Sequence, residues 1–374
     1  MRIIDRGVIF DATSAPLEAR FCTFPSLARL ESGRLIVGFR SGSSKDSADE
    51  DVRIMASDDG GYTWQMVLDG FGEFPPGSGG RIRCIALTAL GTRLIASLAW
   101  VDRSDPTRPL ANPQTQGLLP TKVFFTWSED DGRSWVTPHE VPLAPHKGNA
   151  TTGSLLLLKD GRLALPYEAW KEYDDPRPGH HHAALRISAD GGMTWDEMAI
   201  VAHDPSGQVL YWDQRLTMDP ETGELIAMFW TYDRQAQQDR DIHIAWGSPD
   251  ARQWSQPVSI GIAGQICAPL ALGDGRVFAA YVHRHDPPSL RAILSDDFGR
   301  TWRTEEEIVF YEKKHGGRES GMGGKRAFDE YWVDMGRWTF GHPTPLLLPD
   351  GTVFVAFYAG DETAMGIQWV RLAL

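Results

Sequence analysis

Cysteine is scarce: three residues, Cys22, Cys84 and Cys267, in a chain of 374. An odd count leaves at least one thiol unpaired and builds no disulfide framework. No two are neighbours in the chain, so zinc-type spacing is absent too, and inert buried thiols are the expectation. Positive charge is in deficit, with 37 Lys and Arg against 50 Asp and Glu and a net charge of −13. That sign repels phosphate backbones and anionic bilayers, and no basic patch offsets it, which argues against nucleic-acid and membrane partners. Long apolar runs are missing; none approaches the roughly eighteen residues that a spanning helix needs. The opening segment MRIIDRGVIFDATS carries Asp5 and no long apolar stretch. It does not read as a secretory signal, and a cytoplasmic location is the expectation.

Turn formers and tryptophan are abundant, with 38 Gly, 24 Pro and 14 Trp. Many short elements joined by tight turns follow from the first two, and a repeating motif from the third. That motif is S-x-D-x-G-x-[ST]-W. It reads SDDGGYTW at Ser57–Trp64, SEDDGRSW at Ser128–Trp135, SADGGMTW at Ser188–Trp195 and SDDFGRTW at Ser295–Trp302, with a degenerate copy, SPDARQW, at Ser248–Trp254. Ser and Asp side chains bond turn amides, Gly supplies a positive φ, and Trp packs between sheets. The carboxylates of Asp59, Asp130, Asp190 and Asp297 are therefore read as structural.

A second repeat interleaves with the first: six apolar hairpins turning near Gly33, Gly91, Gly161, Gly223, Gly275 and Gly351, one per roughly 62 residues. An inner hairpin followed by an outer one makes a four-stranded blade, and radial repetition makes a β-propeller. The expected fold is all-β, a single six-bladed propeller spanning residues 1–374. A seventh blade has room only in Tyr311–Trp338. Ring closure is expected between RIIDRGVIF and IQWVRLAL, which protects both edges.

The four Ser-Asp-Gly-Trp turns resemble the Asp-box of the sialidase (neuraminidase) superfamily, and the hairpin rhythm extends the resemblance over nearly the whole chain. Phe24-Pro25-Ser26-Leu27 is similar to the superfamily's F-R-I-P opening segment. The resemblance implies a six-bladed propeller and an exo-acting retaining glycosidase. Counting back from Trp64, it sets Asp46 on the catalytic acid. The chain also departs from the pattern. Thr23 stands where the first of three carboxylate-gripping arginines belongs, and Pro287 where the third does, with Arg284 and Arg291 out of register. His342 stands in place of the nucleophilic tyrosine. Loss of fork-shaped donors points to a neutral sugar, or an acidic one held differently, rather than ordinary sialic acid.

Asp46 is the candidate proton donor, provided burial raises its pKa. His342 is a candidate base, nucleophile partner or donor to sugar hydroxyls. Glu168, after the inner strand RLALPY, and Asp213, in Tyr211-Trp-Asp-Gln-Arg215, are candidates for the second carboxylate. Asp213 is the closest counterpart of the superfamily's glutamate. Thr23, Arg40, Arg83, Gln265, Arg284 and Trp212 are the candidate substrate-binding residues. Trp100, Tyr167, Trp170 and Trp230 serve either sugar stacking or packing between blades. His180, His181 and His182 alternate in direction along a strand and cannot converge on one ion. The Gly316–Gly324 stretch lacks the strand-to-helix context of a phosphate loop and reads as a loop able to close over the face. No cofactor or metal is called for, and the expected partner is a carbohydrate. An exo-acting glycoside hydrolase is the leading reading. Beside it stand a polysaccharide lyase using His342 with Arg83 or Arg284, and a non-catalytic carbohydrate-binding propeller.

Overall fold

All six hairpin glycines, Gly33, Gly91, Gly161, Gly223, Gly275 and Gly351, adopt positive φ, between 59° and 90°. Each hairpin therefore reverses where the sequence places it. The computed structural model describes residues 1–151, 153–313 and 327–374, the side chains of residues 329 and 332 aside. Six antiparallel sheets follow in chain order. The first holds Thr23–Arg29, Leu35–Ser41, Asp51–Ser57 and Gln65–Asp69, and the second Gly80–Leu90, Arg93–Asp102, Thr121–Ser128 and His139–Val141. In the third, Gly148–Thr151 and Leu156–Leu157 both pair with Leu163–Trp170, and His182–Ser188 and Glu197–His203 follow outward. The fourth holds Val209–Met218, Leu225–Asp233, His243–Gly247 and Val258–Ser259; the fifth holds Cys267–Gly273, Arg276–His283, Ser289–Ser295 and Ile308–Glu312. The sixth, Phe340–Leu347, Val353–Gly360 and Met365–Ala373, is completed by Arg2–Phe10, which pairs antiparallel with Met365–Ala373. The chain is a six-bladed propeller with the expected closure. No seventh sheet exists among the described residues, and the Gly316–Gly324 stretch lies outside them.

Among the described residues, five of the apolar cores between successive blades receive a turn tryptophan. Trp64 packs on the core shared by blades six and one, Trp135 on that of one and two, and Trp195 on that of two and three. Trp254 and Trp302 repeat this for the next two junctions. The turns themselves are near-identical. Ser57, Ser128, Ser188 and Ser295 each donate to the aspartate two residues on and accept the amide of the motif glycine. Bonds from Thr63, Ser134 and Thr194 are the largest influence holding Asp59, Asp130 and Asp190 below the usual carboxylate range. In the degenerate copy Ala251 takes the glycine's place at φ 62°.

The motif glycine is needed for space as well as for φ. At Gly192, with φ +96°, an added Cβ would meet the Phe125 ring of the second blade at 2.4 Å. Gly192→Ala is expected to cost about 1–3 kcal/mol through overpacking on a strained backbone, read as a lower urea midpoint at unchanged m-value. An unchanged midpoint would refute this account of the turn.

Among the described residues one α-helix, Phe328–Met335, and two short 3-10 turns, Leu17–Ala19 and Thr304–Glu306, interrupt the strands. Phe328 and Tyr331, three residues apart on one face, are buried against Trp212, Trp230 and Tyr232. This helix makes one side of the cavity described next.

Candidate active site

The innermost strands of four blades lose their pairing register at related points: between Thr23 and Ser26, Ile82 and Cys84, Trp212 and Arg215, and Gly341 and Thr344. Phe24, Arg83, Asp213 and His342 sit in these bulges, and all four line one cavity of about 280 Å³. Bulges re-aim side chains at just such rims. Phe24, Asp213 and His342 have φ of 54°, 49° and 48°, a left-handed conformation that non-glycine residues adopt at a cost of about 1–3 kcal/mol each. Strained backbone at three points on one cavity makes it the candidate functional site.

Two carboxyls meet on one wall. Glu168 projects from Leu163–Trp170 and accepts the amide of Gln214 at 3.1 Å, inside the bulge that carries Asp213. Burial, and then the neighbouring Asp213 charge, push the Glu168 carboxyl well above its ordinary value. Burial raises Asp213 as well, against the opposing pull of Arg215. The two buried carboxyls are coupled, and the upward push is the stronger at Glu168.

Facing them is a cationic wall. Arg215 Nη2 lies 3.5 Å from Asp213 Oδ1 and donates to His342 Nδ1 at 3.0 Å. A guanidinium can only donate, so Nδ1 accepts and the neutral ring carries its proton on Nε2. Burial and the nearby Arg215 keep His342 well below its usual pKa. Its ring stands edge-on to Phe24, 4.3 Å between centroids. Lys45 donates to the Trp338 carbonyl at 2.8 Å and the Tyr358 hydroxyl at 2.9 Å. Arg284, buried, donates to the Phe340 carbonyl at 2.7 Å and stacks on Trp338.

Asp46 lies at the neighbouring rim in a different electrostatic setting from the one expected. Arg83 approaches it at 3.0 Å and Arg103 at 2.6 Å. Burial raises its pKa, but the charges of Arg83, Arg40 and Arg103 together outweigh burial and hold the carboxyl far below its usual range. The raised pKa expected of a proton donor is thus not found at Asp46. Beneath it Glu50, fully buried, binds Arg40 at 2.7 Å, Arg83 at 2.8 Å and Arg103 at 2.6 Å.

Of the expected substrate contacts, Arg83, Arg284 and Trp212 line the cavity. Thr23, Arg40 and Gln265 do not. Thr23 is fully buried opposite Arg40, and Arg40 is sequestered by Glu50. Gln265 is buried and accepts from Arg284 at 3.3 Å, so it braces that arginine. Trp212 is largely enclosed by Trp230, Tyr232 and Phe328, which makes it packing first and cavity wall second. Trp100, Tyr167 and Trp230 are likewise buried, with Trp100 and Trp230 reaching the cavity and Trp170 beside them. The histidine run alternates as expected: His181 turns to the cavity, while His182 stacks between His146 and His203. Among the described residues no His, Cys, Asp or Glu group could hold a metal.

Sequence reading passed over Glu50, Arg103, Lys45 and Tyr358. Glu50 was hidden among the acids of its loop; only the partners from blade two distinguish it. No local signal exposes such a residue.

No functionally curated protein matches the sequence. The fold resembles a protein of unknown function from Dyadobacter fermentans (TM-score 0.72, 19% identity, 99% of this chain and 98% of that one). It also resembles the Hadza microbial sialidase Hz136 (0.67, 15%, 99% and 68%) and Trypanosoma rangeli sialidase (0.67, 13%, 98% and 59%). At such identities the likeness establishes the architecture alone. The BNR repeat-like domain matches residues 110–355, well over half the chain. The chain therefore belongs to the BNR repeat-like family, as a propeller of the sialidase-like kind.

Proposed function

We propose that the protein is an exo-acting glycoside hydrolase that removes a terminal sugar, with Glu168 as proton donor. One observation carries the reading: a carboxyl whose hold on its proton is strengthened by burial and by a second carboxyl, on the wall of a small cavity. A protonated acid near neutral pH is what departure of a glycosidic oxygen requires. Glu168 gives its proton to the leaving oxygen. Asp213, ionised beside it, steadies positive charge at the anomeric carbon and takes a proton from the attacking water. Arg215 and the Nε2–H of His342 supply hydrogen-bond donors for the sugar. Asp46 holds Arg83 and Arg103 in place and takes no proton.

A lyase needs a free base lone pair at His342, yet Arg215 occupies Nδ1 and the proton occupies Nε2. That disfavours the lyase. A panel of neutral and uronate-containing aryl glycosides tests the reading in wild type and Asp46→Asn. Free sugar and aglycone are expected, without an ultraviolet-absorbing unsaturated product. Asp46→Asn is expected to lower the rate and leave the alkaline limb of the pH profile where it was. An unsaturated product would establish the lyase, and ligand binding with no turnover on any substrate a binding propeller. A limb that vanishes in Asp46→Asn would return the proton to Asp46.

A further inference from the structure

A second pocket of about 400 Å³ opens beside the first, and the two share Phe24, Lys45, Arg83, Leu110 and Met335. Its volume falls within the roughly 300–1,000 Å³ typical of small-molecule sites. One wall is the segment Pro109-Leu110-Ala111, with Pro113 beyond it, and the other is the helix end with Val333 and Gly336. The first wall is preformed: Asn112 and Leu119 amides bond Gly117 and Leu110 carbonyls at 2.8 Å and 2.9 Å, and Gln116 bonds back to Asn112 at 2.7 Å. The Leu110 amide donates to Asp46 Oδ2 at 3.3 Å, so the ion cluster anchors this wall as well. On the floor Arg83 is paired with Asp46 and Glu50, and Lys45 donates to two neutral oxygens, the Trp338 carbonyl and the Tyr358 hydroxyl. Val333, 54% exposed, presents an apolar side chain on a helix facing this space.

We infer that this outer pocket is the leaving-group subsite and that it takes a flat, apolar aglycone rather than a further sugar. The inference rests on the hydrolase reading for its catalytic consequence, not for the binding itself. Apolar walls desolvate an aromatic ring favourably, whereas a polyhydroxylated ring would find partners only at Asn112, Gln116 and the charged floor, and none on the prolines, leucine and valine.

Two probes separate binding from cleavage. The first is 2-naphthylmethanol alone, followed by its fluorescence on the intact protein. The second is a pair of glycosides of one accepted sugar, methyl and 2-naphthylmethyl, whose leaving alcohols are of similar type. Wild type is expected to bind the free alcohol, with Val333→Asp weakening it by about tenfold or more and Val333→Phe tightening it. The naphthylmethyl glycoside is expected to be cleaved with a kcat/KM at least about tenfold above the methyl one, through KM, and Val333→Asp to collapse that ratio toward unity. Val333 lines only the outer pocket, so these variants report on it and not on the inner cavity. Equal affinity of wild type and Val333→Asp for the alcohol, or equal cleavage of the two glycosides, would overturn the inference while leaving the hydrolase intact. Alcohol binding that responds to Val333, with neither glycoside cleaved, would uphold the subsite and remove the hydrolase.

Discussion

Glu168→Gln is expected to lower kcat by about 10²–10⁴-fold, the share that general acid catalysis usually supplies. The amide keeps the shape of the side chain and its acceptor oxygen for the Gln214 amide, but it has no proton to give. An aglycone that needs no protonation should lose far less, so the deficit should shrink as the leaving group becomes more acidic. The pH dependence provides a second check. In wild type, activity should fall as pH rises through the raised carboxyl pKa, and in Glu168→Gln that limb should be absent. Stability follows the same linkage. A carboxyl whose folded pKa is raised contributes stability that is fully present below its unfolded value of about 4.3 and is lost as pH rises through the folded value. Glu168→Gln should therefore flatten the stability profile on the alkaline side. Asp46 has the opposite slope: its depressed pKa gives stability present above about pH 3.9 and lost as pH falls below it. A Glu168→Gln variant with wild-type turnover and an unmoved limb would remove the proposed acid.

Glu50→Ala is expected to cost the fold more than any other single change described here, about 3–5 kcal/mol, the usual penalty for breaking a buried ion pair from one side. Glu50 has no exposed surface and is the common partner of Arg40, Arg83 and Arg103, two of which are themselves almost wholly buried. Its removal leaves three guanidiniums to one remaining carboxylate, Asp46. The measurement is urea unfolding of both proteins; a loss under about 1 kcal/mol, the scale of exposed pairs, would show that the cluster is solvated. Asp46→Asn, at the wetter end of the same cluster, should cost less.

The architecture was readable because its determinants are local. A turn glycine, a capping serine and an interlayer tryptophan act within eight residues, and they recur in register. The site was partly readable. Asp213, Glu168 and His342 do line one cavity, yet their division of labour depends on neighbours from other blades. Asp46 reads as an acid until Arg83 and Arg103 arrive from blade two, and Arg40 reads as a substrate contact until Glu50 closes over it. His342 looks like a base until Arg215, from blade four, takes its lone pair. The helix Phe328–Met335 had no counterpart in the repeat, and its packing against Trp212 and Trp230 joins segments far apart in the chain. Charges on one strand announce themselves in a sequence; the field made by several strands does not.

Ring closure gives the propeller a kinetic personality. The strand Arg2–Phe10 finds its partner Met365–Ala373 only across all of the intervening chain. That is a contact of the highest order the topology allows, so it is expected to form late in folding, after each blade has gathered its own hairpins. Until then the Met365–Ala373 strand presents a free hydrogen-bonding edge. A second molecule at the same stage has the missing complement to offer. High concentration during refolding should therefore favour exchange of the closing strand between molecules, and dilution should favour the closed monomeric ring.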